Sequence, residues 1–157
     1  MIQIQTQDFD VTEALATLRA GNPHIGAVSC FVGTVRDVNE GDAVQTLELE
    51  HYPVMTEKAL KDIELRARER WPLENVLIIH RIGLLAPCDQ IVLVAVASRH
   101  REDSLQACAF IMDFLKTEAP FWKKEQTPAG QRWVDARSSD DEARQRWLAH
   151  GPVPPDA

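Results

Sequence analysis

Residues 110–126 read FIMDFLKTEAPFWKKEQ, and how this stretch is read decides the fold. Cys108, Ile111, Met112 and Leu115 recur at helical spacing, so its first part is the end of an amphipathic helix. Pro120 stops that helix, because the residue before a proline resists helical geometry and proline has no N–H to donate. Phe121, Trp122, Lys123 and Lys124 then continue as an extended segment. Lys116 therefore sits on a last helical turn, and Lys123 returns along a neighbouring strand. In such a strand Lys123 shares a face with Phe121, while Trp122 and Lys124 share the other. Two readings fit this pair of lysines. Either both amines snorkel to water from the rim of a core, or burial and the second cation favour a neutral amine and create a nucleophile or an anion site.

Outward from this break, hydrophobic periods of two and 3.6 follow one another. Residues 2–5 alternate as a short edge strand, and residues 11–20 form a helix with Val11, Leu15 and Leu18 inward, stopped by Gly21. Residues 27–35 (AVSCFVGTV) read as a buried strand, residues 36–42 (RDVNEGD) as a polar loop, and residues 44–52 as a strand antiparallel to the first. Residues 53–71 give the longest helix, with Ala59, Leu60, Ile63 and Ala67 as its stripe, ended by Pro72. Residues 75–82 and 91–97 are buried strands around a loop at 83–89, and Glu102 and Asp103 open the helix that delivers Lys116. A short strand at 132–134 and a charged helical segment at 138–147 follow. One domain over 1–147 is expected, with residues 148–157 a disordered tail. Hairpins mixed with crossovers make this an α+β chain, with helices packed on a mostly antiparallel sheet.

Composition narrows the function. At 157 residues, 45% hydrophobic and with a net charge of −7, the chain has room for a core and is too acidic for a general binder of nucleic acid or anionic membrane. No apolar run reaches membrane-spanning length and the N-terminus lacks a signal pattern, so a cytoplasmic protein is expected. Three cysteines without C-x-x-C spacing suggest neither a disulfide framework nor a zinc site. Cys30 and Cys108 read as core residues and Cys88 as a turn residue. No metal and no cofactor are expected.

The chemistry-bearing residues lie where elements end: Arg36, the run Arg99-His100-Arg101, the pair Lys116 and Lys123, and Arg137. Arginine forks suit phosphate, and a histidine adds a donor or proton carrier. Each alone reads more readily as a solvated rim than as a site, so only convergence in space makes a site. Phosphate-loop, nucleophile-elbow and dinucleotide fingerprints are absent from the sequence.

Gly33-Thr34-Val35-Arg36, the run LELEHYP at 47–53, His80-Arg81-Ile82-Gly83, and the pieces FIMDFLK and APFWKKE within 110–125 resemble the catalytic (large) subunit of molybdopterin synthase. The resemblance runs in order from Gly26 to Arg137, and departs mildly at Thr34 and Glu118. It implies an α/β-hammerhead fold with a small extra β subdomain, and a homodimer that becomes a heterotetramer with two small ubiquitin-like carrier subunits. The implied reaction is sulfur transfer from the carrier's thiocarboxylated C-terminal glycine to cyclic pyranopterin monophosphate, forming a dithiolene. Carried over by position, Lys116 and Lys123 are the catalytic lysines; Arg36, His100 and Arg101 hold the substrate, and Arg137 reaches in from the second protomer. Competing readings are a Schiff-base lyase using Lys116 and a non-enzymatic module binding a protein tail or RNA through Trp122, Lys123, Lys124 and the R-H-R run.

Overall fold

The computed structural model describes residues 1–135 and 137–149. The central strands, β6 (Leu73–Arg81) and β8 (Gln90–Ser98), are antiparallel, with Ile78 opposite Val94. Their flanks are β1 (Ile2–Gln5), parallel to β6, and β2 (Ala27–Thr34), antiparallel to β8, giving the order β1-β6-β8-β2. Alternation divides the central strands between two cores. Val76, Ile78, Val92, Val94 and Val96 face α2 (Pro53–Arg70) and α3 (Arg101–Glu118), where Leu60, Ile63, Phe110 and Ile111 complete the larger cluster. Leu77, Ile79, Leu93, Ala95 and Ala97 face Leu18 of α1 (Val11–Arg19). Burial on both faces is why IVLVAVA carries no polar alternation.

A second sheet has the order β10-β9-β5-β7, built from β10 (Gly130–Val134), β9 (Phe121–Thr127), β5 (Thr46–His51) and β7 (Gly83–Leu85). Its small core holds Val35, Leu47, Leu49 and Leu85. This is the additional β unit of an α+β fold whose strand pairs are antiparallel except β1 with β6. Helix α4 (Ser138–Ala149) packs on α3, where the Trp147 indole donates to Asp113 at 2.7 Å. Leu148 and Ala149 thus belong to a helix; the rest of the tail expected at 148–157 lies outside the described residues. Among the described residues no helix is long and apolar enough to cross a membrane.

Four expectations change. Residues 83–89, read as a loop, begin with a strand, β7 at Gly83–Leu85, because those residues pair with β5. The loop at 36–42 contains a hairpin of its own, β3 (Val38–Asn39) with β4 (Asp42–Ala43), turned by Glu40 at φ 52° and Gly41 at φ 83°. That hairpin separates β2 from β5, so the two expected to pair lie in different sheets. Cys30 is exposed on the edge strand β2, whereas Cys108 is buried as expected.

Candidate active site

Helix α3 ends as Pro120 requires. Ala119 caps it in extended conformation, and the Phe121 N–H closes on the Ala119 carbonyl at 2.9 Å. Buried Thr56 of α2 donates its hydroxyl to the Pro120 carbonyl at 3.2 Å, tying the break to the helical layer. Strand β9 then runs antiparallel to β5, with Phe121 opposite His51 and Lys123 opposite Leu49. The turn brings Lys116 and Lys123 to one pocket of about 370 Å³, and Arg36 and Arg137 line the same space.

Its electrostatics are asymmetric. Lys116 is exposed at the helix end, while Lys123 is half-buried. Burial pushes the Lys123 ammonium down to about 8; the charge of Lys116, whose amine is within hydrogen-bonding reach, pushes the same way, as does Arg137, and Asp140 opposes them. The amine predisposed to lose its proton is therefore Lys123.

Behind Phe121 lies a column of rings. His80 stacks on Phe121 at 3.7 Å between centroids and 12° between planes, and His51 stacks with Phe121 at 6.3 Å. The His80 Nδ1 is 2.8 Å from the Arg81 carbonyl, which can only accept, so Nδ1 carries the proton. Burial pushes His80 down to about 3 despite that hydrogen bond, with both lysines and His51 adding to the effect. A neutral ring thus braces the strand that carries Lys123 without adding a further cation. Burial pushes the Cys108 thiol up to about 11, so it is no thiolate nucleophile.

Of the six site residues expected from sequence, Arg36, Lys116, Lys123 and Arg137 converge, and His100 and Arg101 do not line the pocket. His100 caps α3 and Arg101 is its first residue. Lys116 is fifteen positions beyond Arg101, roughly 22 Å along the helix. Arg137, expected from a second protomer, lines the pocket of its own chain. Thr34 lines the pocket too, whereas Glu118 pairs with Arg66 and Arg144. Sequence reasoning missed Asn39, Glu125 and Asp140, all at the pocket. Asn39 sat unremarked in a polar loop, but the alternation of β9 puts Glu125 on the Phe121 and Lys123 face.

The family described as MoaE protein matches residues 4–118. A Ralstonia nicotianae protein named molybdopterin synthase catalytic subunit is 61% identical over 93% of this chain and 83% of its own length. One of the same name from Vibrio cholerae is 55% identical, covering 93% of this chain and 97% of its own. A solved structure, the molybdopterin biosynthesis MoaE protein of Burkholderia ambifaria, is 59% identical, with a TM-score of 0.82 over 94% of this chain and 97% of that one. The fold, the match over residues 4–118 and this degree of identity agree: the chain belongs to the MoaE family.

Proposed function

We propose that this chain is the catalytic subunit of a molybdopterin synthase and that its pocket transfers sulfur to a phosphorylated pterin. One observation carries the reading: two lysines from either side of a proline break meet two arginines from distant segments in one cavity, against a net charge of −7 for the chain. Such a pocket suits two anions, the monophosphate of cyclic pyranopterin monophosphate and the thiocarboxylate terminus of a small ubiquitin-like carrier. The relatives are named catalytic subunits, which implies a companion subunit. With sulfur brought by the companion, this chain needs no reactive cysteine.

The roles follow from exposure. Arg36 and Arg137 hold the phosphate and fix the pterin against the carrier tail. Lys123, free base in part near pH 8, exchanges a proton with the reacting group and in its charged form steadies developing negative charge. Lys116, exposed beside it, meets the incoming carrier terminus. His100 and Arg101 reach a phosphate only from a second copy, which gives a homodimer a chemical purpose.

Incubating the chain with thiocarboxylated carrier and the pterin precursor, and following the dithiolene product by mass, tests this. Lys116→Ala abolishes conversion and, because the residue is exposed, leaves the fold intact. Full turnover by that variant overturns the assignment. Borohydride trapping of the chain with a carbonyl metabolite, without any carrier, would instead support a Schiff-base enzyme.

A further inference from the structure

Arg137 is exposed and lies between β10 and α4, yet its guanidinium has a fixed partner. Its Nη2 donates to Asn39 Oδ1 at 3.0 Å. The other end of that amide, Asn39 Nδ2, donates to Glu125 Oε1 at 2.8 Å. The second oxygen of Glu125 accepts from Arg132 Nε at 3.2 Å, and Arg132 also reaches Asp42 at 2.7 Å and the Asn39 carbonyl at 3.0 Å. Asn39 is 9% exposed and Glu125 5%. A carboxylate only accepts and a guanidinium only donates, so one orientation of the amide satisfies both neighbours.

We propose that Asn39 is the positioning residue of the anion site, a neutral link that transmits the anchorage of Glu125 to Arg137 without cancelling the arginine's charge. This rests on the reading of Arg137 as a phosphate ligand. A carboxylate in direct contact would hold the guanidinium as firmly but would offset its positive charge where the substrate must feel it. A side chain with no acceptor would leave the charge but free a long, flexible arm. Only an uncharged group with an acceptor at one end and a donor at the other keeps both position and charge. The tie to Glu125 explains why the β3–β4 hairpin is clamped to β9 and β10 through Arg132. The hairpin carries the amide, and the clamp fixes where the amide points.

The test is a titration of the full-length chain with inorganic phosphate, following the Arg137 Nε–H resonance and its exchange with water. Wild type binds phosphate saturably, and Arg137→Ala weakens it about tenfold, the range for a hydrogen bond to a charged group. Asn39→Leu weakens it comparably and speeds exchange at Arg137 Nε–H. Asn39→Asp combined with Glu125→Gln moves the carboxylate one link closer to Arg137 while leaving every donor opposite an acceptor; it keeps that exchange slow but still weakens phosphate, a split that general destabilisation would not give. It also carries the test should Asn39→Leu fail to fold. In the double variant Asn39→Leu with Arg137→Ala, binding falls no further than in Arg137→Ala. Wild-type affinity in Asn39→Leu or in Asn39→Asp with Glu125→Gln, with affinity lost in Arg137→Ala, overturns the role of Asn39 and leaves Arg137 as a ligand. Unchanged affinity in Arg137→Ala, or no binding by wild type, overturns the reading of Arg137 and this proposal with it.

Discussion

Lys123 is a cation that the fold holds in a place suited to a neutral group. It lies on the buried face of β9 opposite Leu49, with its charge beside those of Lys116 and Arg137. Its folded-state pKa of about 8 lies below the ordinary lysine value of 10.5. The sign follows from linkage: below pH 8 both folded and unfolded chains hold the proton, and the folded state bears the full penalty. Between 8 and 10.5 the folded state has lost the proton and the unfolded chain keeps it, so stability rises with pH. Above that window the penalty is gone. Lys123→Met, which keeps the stem and removes the charge, is therefore more stable than wild type at pH 7, by about 2 kcal/mol once partial solvation is allowed for. The same variant loses turnover. Urea melts at pH 7 and pH 10 check it, and an equal difference at the two pH values would contradict the buried-charge account.

Among the elements, the edge strand β2 shows how tightly two segments meet. The Gly26 N–H donates to the Ser98 carbonyl at 3.0 Å, and a Cβ at Gly26 would run into the backbone carbonyl of Arg99. A Cβ at Gly33 meets Val92 Cγ1 at 2.9 Å and Phe31 Cε1 at 3.3 Å, side-chain atoms that yield more readily than backbone: the exposed Phe31 ring turns aside, and the buried, β-branched Val92 must shift slightly. Gly26→Ala should cost about 2–4 kcal/mol, because the end of β8 must move, and Gly33→Ala about 1 kcal/mol. Denaturant midpoints compare them, and equal losses would remove the backbone clash as the cause. The same scale separates the legible from the illegible. The helix, break and strand around Pro120 could be read because proline acts locally and β9 alternates. The β3–β4 hairpin could not, because two-residue strands carry no period and Glu40 is a weak sign of the positive φ its turn uses. Missing that hairpin led to the pairing of β2 with β5, and it hid Asn39.

At the scale of the whole molecule, the proposed roles of His100 and Arg101 depend on a second copy of the chain. The sequence puts both at the end of an apolar strand and Lys116 at the end of a helix, and nothing local says whether those ends are near. The length of α3, Arg101–Glu118, separates them within one chain. Cationic side chains at the far end of a helix in an acidic molecule join an anion site elsewhere only if a second copy brings them, and in a two-fold dimer each copy then serves its partner. Subunit mixing follows from that geometry. Lys116→Ala and Arg101→Ala chains are each inactive alone. After unfolding and refolding together, half of the dimers are mixed, and in each of these one pocket has its own Lys116 and receives Arg101 from the partner. About a quarter of wild-type turnover returns, the statistical share for random pairing of symmetric copies. If both residues acted within one chain, no mixed dimer would contain an intact pocket, and a mixture as inactive as its components would show that the two residues serve the same chain.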